Sequence, residues 1–290
     1  MVRSYHGCRG GRAYPGRMRE TREYPLGYSE QEQRRLILQS RLVDPLTREV
    51  LARAGLRDGM RVLDVGCGVG DVSLLARSLV GPSGSVLGID RSAESLELAR
   101  RRAQSSGLRN VAFAQVSLEA LDVMGPFDAL VGRLILLYLP EPAQVLRRLL
   151  GLLRPGGLVV FQEMDMRSAR AVPPSVLYAR MGSWLCTTFE RAGVETQMGS
   201  LLHATFIQAG LPAPELHAAG HVAGAEHPEL YELLVDTLRS LLPLTEKLGV
   251  ATAEELQLDT LASRLRAEIA ASGGVIHAPS YVGAWAKKSG

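Results

Sequence analysis

The stretch that decides the fold is Val62-Leu63-Asp64-Val65-Gly66-Cys67-Gly68-Val69-Gly70-Asp71: an apolar run of strand length, a turn of alternating glycines, and the start of a helix. Glycines lacking Cβ atoms let the backbone bend sharply and let a ligand approach the main chain, while the amides at a helix N-terminus offer donors to it. Dinucleotide turns space their glycines GxGxxG. Here the spacing is GxGxG, and Asp71 stands where the third dinucleotide glycine would be. A carboxylate at that position repels a pyrophosphate but accepts a hydrogen bond from an ammonium group.

Working outward, short apolar runs alternate with helical stretches. Strands are expected at 61–65, 86–89, 111–115, 129–132 and 158–163, with helices at 71–79, 93–105 and 143–153. Such alternation implies βαβ units, right-handed crossovers and a parallel sheet. Leu146, Leu149, Leu150 and Leu153 give the last helix one apolar face, and Pro155-Gly156-Gly157 is expected to end it and turn the chain into the next strand. Upstream, Ser29-x-x-Glu32 reads as a capping box opening one helix. Asp44-Pro45 reads as the N-cap and first residue of a second, with Gly55 its stop. After Asp165 the rhythm breaks into helices at 175–192 and 196–209, a strand at 215–222, and two leucine stripes through Leu230–Leu241 and Leu258–Ile269; residues 275–286 return a last strand. The organisation is a flexible basic tail at 1–23, lid helices at 24–58, and one α/β domain over 59–290 with helical insertions at about 170–195 and 226–272.

The composition narrows the function. Of 290 residues, 46% are hydrophobic and 22% charged, as in a folded globular protein. The net charge of +3 is local, because residues 1–25 hold six arginines against Glu20 and Glu23, a net +4 that leaves the remainder at −1. A nucleic-acid-binding body is not expected. Cys8, Cys67 and Cys186 form no CxxC or Cys/His cluster, and His203, His217 and His221 are scattered, so neither a disulfide framework nor a metal site is expected. No apolar run approaches the roughly 20 residues of a membrane span, and no secretory h-region is visible. A cytoplasmic protein with no membrane partner is the expectation; oligomeric state is not legible.

Asp90 ends the second strand, with Arg91 beside it, and its two oxygens are suited to accept both hydroxyls of a ribose. Ser117 and Leu118 follow the third strand, at the edge where an adenine would lie, and Gly132-Arg133-Leu134 ends the fourth strand near the same crevice. Asp64 is either a buried acid tying the loop through backbone amides or a direct ligand. Tyr24, Tyr28, Arg35 and Gln39 form either a lid across that crevice or a solvated helix face. Met181, Trp184 and Phe189 either fill a core or roof a pocket. Glu163, at the carboxyl end of the fifth strand, is a candidate to orient or deprotonate a substrate, and Tyr138 is a second.

The ordered set Asp64-x-Gly-x-Gly-x-Gly, Asp90, Phe127-Asp128-Ala-Leu-Val and Leu153-Arg-Pro-Gly-Gly resembles the class I S-adenosylmethionine-dependent methyltransferases over about residues 60–165. The resemblance implies a Rossmann-like, doubly wound, mostly parallel seven-stranded sheet with an antiparallel last strand. It further implies S-adenosylmethionine as cofactor, with Gly66, Cys67 and Gly68 near its methionyl part, Asp90 on the ribose, and Ser117 and Leu118 at the adenine. Many family members carry an aspartate where Ser117 stands; a serine hydroxyl also accepts a hydrogen bond. The activity implied is methyl transfer to a small molecule, with secondary metabolism as its setting. The alternative is a lyase or cyclase of the same fold that uses the cofactor itself as substrate and releases methylthioadenosine. A non-catalytic binding module is a third reading. No NPPY-like element follows the fourth strand, which disfavours nucleic-acid acceptors.

Overall fold

A computed structural model describes residues 25–26, 30–118, 121 and 123–289. The tail at 1–23, with Tyr24, Tyr28 and Ser29, lies outside the described residues.

Ten strands and nine helices follow in chain order among the described residues. The strands are β1 (Arg61–Val65), β2 (Ser85–Asp90), β3 (Val111–Gln115), β4 (Phe127–Arg133), β5 (Leu153–Asp165), β6 (Arg170–Val172), β7 (Glu215–Ala219), β8 (Val222–Ala223), β9 (Val275–His277) and β10 (Ser280–Lys287). The helices are α1 (Glu30–Arg53), α2 (Asp71–Val80), α3 (Ala93–Ser105), α4 (Pro142–Leu149), α5 (Val176–Arg191), α6 (Met198–Ala209), α7 (Pro228–Lys247), α8 (Ala253–Leu256) and α9 (Leu258–Ser272).

Seven strands form one sheet in the order β3-β2-β1-β4-β5-β10-β7, in which β10 alone runs opposite to the rest. The sheet is therefore the mostly parallel, doubly wound one. Its apolar strands are buried on both faces, as parallel strands covered by helices must be. Val62, Ala129, Val131 and Trp285 pack against Val50, Leu51, Val72 and Leu75 of α1 and α2; Leu63, Leu130 and Phe161 pack on the other face against α4 and α6. Order reverses between β1 and β4, and the carboxyl ends of those strands open the crevice where such sheets bind ligands.

Three local expectations are corrected. The two helices expected before the first strand are one: α1 runs through Pro45 without a break. Asp44, expected as an N-cap, instead meets the Arg133 guanidinium at 2.8 Å, and the Leu42 carbonyl, in the turn a proline loosens, accepts a hydrogen bond from His221 Nε2 at 2.9 Å. Partners from the sheet side thus replace a helix end. The helix expected over 143–153 closes at Leu149 and tightens into a 3₁₀ turn, so Pro155-Gly156-Gly157 falls inside β5. The pairing jumps there from Phe127↔Leu153 to Ala129↔Leu158, which marks a bulge carrying the three residues. Finally, the strands expected at 215–222 and 275–286 each divide in two. β8 and β9 leave the main sheet and join β6 in a three-stranded sheet.

That small sheet roofs a second core. Tyr178, Met181 and Trp184 of α5, Leu234 and Leu238 of α7, Leu261 and Leu265 of α9, and Ile276 of β9 pack together. α1 lies between this body and the main sheet.

Candidate active site

Backbone geometry shapes the turn after β1. Gly66 and Gly68 adopt φ of +66° and +50°, which side-chain-bearing residues rarely hold. A Cβ on Gly66 would stand 2.6 Å from Ile135 Cδ1, whereas one on Gly68 would meet open space. The turn is anchored across the strands: Cys67 N–H donates to the Ile89 carbonyl at 3.0 Å, and Gly68 N–H donates to Asp90 Oδ2 at 2.9 Å. The second oxygen, Oδ1, accepts Ser92 N–H, also at 2.9 Å. Ser92 then caps α3 by accepting Ser95 N–H. Two backbone amides fix the Asp90 carboxylate edge, and each oxygen keeps a further lone pair.

Asp71, in the first turn of α2, lies 2.7 Å from Arg102 and 3.5 Å from Arg133. Arg102 also donates to the Val69 carbonyl at 2.6 Å. Arg133, at the end of β4, is nearly buried and joins Asp71 to α1 by donating to Asp44 at 2.8 Å and Thr47 at 2.9 Å. Thr47 in turn donates to Gln162 of β5 at 2.6 Å. Burial pushes the Asp44 carboxyl up, against the pull of Arg133. More than two turns earlier on α1, Arg35 donates to both Glu32 oxygens, at 2.6 and 2.7 Å, and to Gln39 Oε1 at 2.6 Å. All three side chains are buried.

These groups border a cavity of about 460 Å³. On one side its wall is made by Gly66, Cys67, Gly68, Asp71, Asp90 and Arg91, with Ser117 and Leu118 beyond β3. Gln39, Arg133 and Tyr138 border it as well. It continues past α1 into a chamber between α5 and α7. The structure thus brings these eleven sequence-predicted residues to one wall; Tyr28 lies outside the described residues.

Two expected site residues are placed elsewhere. Glu163 is fully buried off the cavity wall, where Oε1 accepts the amides of Ile135 and Leu136 at 3.0 and 2.8 Å. Burial outweighs those amides and pushes its carboxyl up to about 8. It supports the loop after β4 and does not border the cavity. Asp64 is likewise off the wall, and its Oδ2 accepts the Ser73 hydroxyl at 2.5 Å instead of the loop's backbone amides. Its Oδ1 has no partner, and burial raises its carboxyl to about 7. For Asp64 the buried reading holds with a side-chain partner in place of the backbone amides, whereas Glu163, expected to face a substrate, is closed over by the loop after β4.

Sequence reasoning missed Asp44, Thr47 and Arg102 as partners of the wall. Asp44 carried a misleading signal, since Asp-Pro is a good helix start. Arg102 carried none, because thirty residues separate it from Asp71. Glu32 did carry one, its i,i+3 spacing to Arg35.

A family model described as a methyltransferase domain matches residues 56–196. The YcgJ protein of Bacillus subtilis shares the fold, with a TM-score of 0.53 at 18% identity over 83% of this chain and 97% of that one. Over residues 56–196, just under half of the chain, the sequence is similar to the S-adenosylmethionine-dependent methyltransferases. Among its curated relatives, a ubiquinone biosynthesis O-methyltransferase of Acinetobacter baumannii (strain ACICU) is 33% identical over 133 residues, 45% of this chain and 53% of that protein. An arsenite methyltransferase of Aquipseudomonas alcaligenes is 38% identical over 124 residues, 39% of this chain and 35% of that protein. The chain spans about half the length of the first and a third of the second.

The residues of the wall fit the family's cofactor. Asp90 has spare acceptor capacity on both oxygens, as a ribose diol needs, and the open space at Gly68 gives the backbone a close approach. Acid and base stand together at Asp71 and Arg133, which suits a zwitterionic amino-acid end. No helix among the described residues is long and apolar enough to cross a membrane.

Proposed function

We propose that this chain transfers a methyl group from S-adenosylmethionine to a small-molecule acceptor. The observation that carries the reading is the continuity of the cavity: the Gly66–Gly68 turn and Asp90 open, without an intervening wall, into the chamber between α5 and α7.

The cofactor, when bound, supplies an already activated methyl on a sulfonium. The protein's task is alignment and exclusion of water, and alignment of reactants contributes on the order of 7–11 kcal/mol of barrier lowering. Asp90 holds the ribose, Ser117 and Leu118 border the adenine, and Asp71 with Arg133 orient the amino-acid end. Gln39 and Arg91 complete that half of the wall. α1, tied through Asp44 and Thr47 to Arg133, covers the crevice and keeps water out. Tyr138, which borders the cavity just after the loop that Glu163 supports, orients the acceptor's nucleophile in this reading. No strong base is needed, because methylation makes the nucleophile's proton more acidic and the proton is lost to solvent when the product leaves the site.

The relatives' names support a small acceptor and differ in which one, a quinone precursor pathway against arsenite. The test is incubation of the purified chain with methyl-labelled cofactor and a panel of acceptors. Label in a small molecule, with S-adenosylhomocysteine as co-product, is expected. Methylthioadenosine as the nucleoside product, or cofactor binding with no label delivered to any acceptor class, overturns the reading.

A further inference from the structure

The half of the cavity away from Asp90 has its own chemistry. Tyr178, Met181, Gly182, Leu185, Cys186 and Phe189 recur at i, i+3, i+4, i+7, i+8 and i+11 along α5, and all border it. Leu230, Leu233, Leu234 and Thr237 of α7 face them. No Asp, Glu, Lys or Arg of either helix reaches this wall. Tyr178 Oη donates to the His277 carbonyl at 2.9 Å and Thr237 Oγ1 to the Leu233 carbonyl at 2.8 Å, while His221, which also borders the cavity, meets the Leu42 carbonyl through Nε2 at 2.9 Å. Burial pushes the Cys186 thiol up, which keeps it neutral. On the α1 side the charges of Glu32 and Arg35 compensate each other at 2.6 Å. A charged ligand group seated between α5 and α7 would find no acidic or basic side chain of either helix as a counter-ion, and burying an uncompensated charge is strongly unfavourable.

Gly182 adds an independent observation. It sits in the interior of a 16-residue helix, where glycine costs about 0.5–1 kcal/mol relative to alanine. Its φ is not positive, and a Cβ there would meet nothing within 4 Å. Neither the backbone nor the packing calls for glycine. What its absent side chain provides is room on the cavity face of α5.

We infer that the acceptor is an uncharged, predominantly apolar molecule seated between α5 and α7, and that Gly182 sets the room available to it. This rests on the methyl-transfer reading for the word acceptor, but the chemistry of the chamber is testable without turnover.

Two probes share one carbon skeleton: neutral N-phenyl-1-naphthylamine and its sulfonated counterpart 8-anilinonaphthalene-1-sulfonate. Titrated into the full chain and followed by fluorescence, the neutral probe is expected to saturate at one site and bind at least tenfold more tightly than the sulfonate. Gly182→Leu should weaken the neutral probe at least tenfold while calorimetry shows S-adenosylhomocysteine affinity within twofold of wild type. Gly182→Lys, which adds a cation to the same wall, should reverse the preference toward the sulfonate. Equal or tighter sulfonate binding to the wild type, or a neutral-probe affinity untouched by Gly182→Leu, overturns the inference. Failure of the wild type to bind S-adenosylhomocysteine would instead overturn the methyl-transfer reading, and calorimetry reads it separately.

Discussion

The cavity joins two halves built by opposite means. At the crevice between β1 and β4, the wall consists of backbone amides, glycines and carboxylates whose positions are dictated within short stretches: a turn of three glycines and one strand-end aspartate. Between α5 and α7 the wall is side-chain bulk from segments some fifty residues apart, with its polar atoms turned onto backbone carbonyls. The first half discriminates by hydrogen bonds and charge, the second by volume and the absence of charge. Damage to the first should therefore be large and tied to single atoms, and damage to the second graded with size.

The largest effect should come from Asp90→Ala. It removes the acceptor of the Gly68 and Ser92 amides together with both proposed ribose contacts, and hydrogen bonds to charged groups contribute roughly 1.5–3 kcal/mol each, so S-adenosylhomocysteine affinity should fall by roughly 100-fold or more. Calorimetry on the purified variant measures this. A loss below about tenfold would show that the crevice does not depend on this carboxylate as the comparison requires.

Next comes Glu163, which separates support from chemistry. Glu163→Ala orphans the amides of Ile135 and Leu136 and leaves a void, at a cost of about 2–4 kcal/mol in chemical denaturation. Glu163→Gln keeps an oxygen for both amides and should retain kcat within about twofold, an outcome incompatible with a general base, whose loss typically costs 100-fold or more. The same residue sets a pH dependence. Its native carboxyl titrates near 8 against an ordinary 4.5, so the folded state holds the proton more tightly. That contribution to stability is fully present below pH 4.5 and is lost as pH rises through 8. Asp64, raised to about 7, acts with the same sign over a window that closes earlier. Thermal denaturation should show Tm falling between pH 5 and 8 more steeply in the wild type than in Glu163→Gln.

Arg133→Met tests the link between the crevice and α1. The guanidinium ties Asp71 to Asp44 and Thr47, and its removal leaves two partly buried carboxylates without that cation. KM for the cofactor should rise about tenfold with a smaller change in kcat, the pattern of lost binding common to ground and transition states. A kcat loss exceeding the KM change would place Arg133 in the chemical step instead.

The same contrast explains what the sequence revealed. The sheet, the glycine turn and Asp90 were legible because their chemistry is local: strand period, turn glycines and a strand-end acid sit within thirty residues of one another. Arg133 was legible only as a position near the crevice, since its partners Asp44 and Thr47 come from a helix whose course through Pro45 depends on contacts made later in the chain. Glu163 misled because a carboxylate at a strand's carboxyl end carries the same sequence signal whether it faces a ligand or a loop's amides. The chamber was legible as one leucine stripe, Leu230–Leu241, and the helix expected at 175–192, and nothing in their spacing said which faces would stay unfilled. Gly182 gave no signal at all, because a mid-helix glycine acquires meaning only when its surroundings are known.

The smallest effect is the most diagnostic of the second half. Gly182→Ala adds one methyl group to open space and removes a helix penalty, so it should stabilise the protein by about 0.5–1 kcal/mol while trimming the chamber slightly. Stability and acceptor binding should move in opposite directions: Tm up, neutral-probe affinity down by no more than a few-fold, cofactor affinity unchanged. Larger side chains at the same position should extend the second trend without extending the first, since helix propensity saturates near alanine while volume continues to grow. If Gly182→Ala instead lowers Tm, the glycine is held by packing, and the room beside it is not what the residue is there to provide.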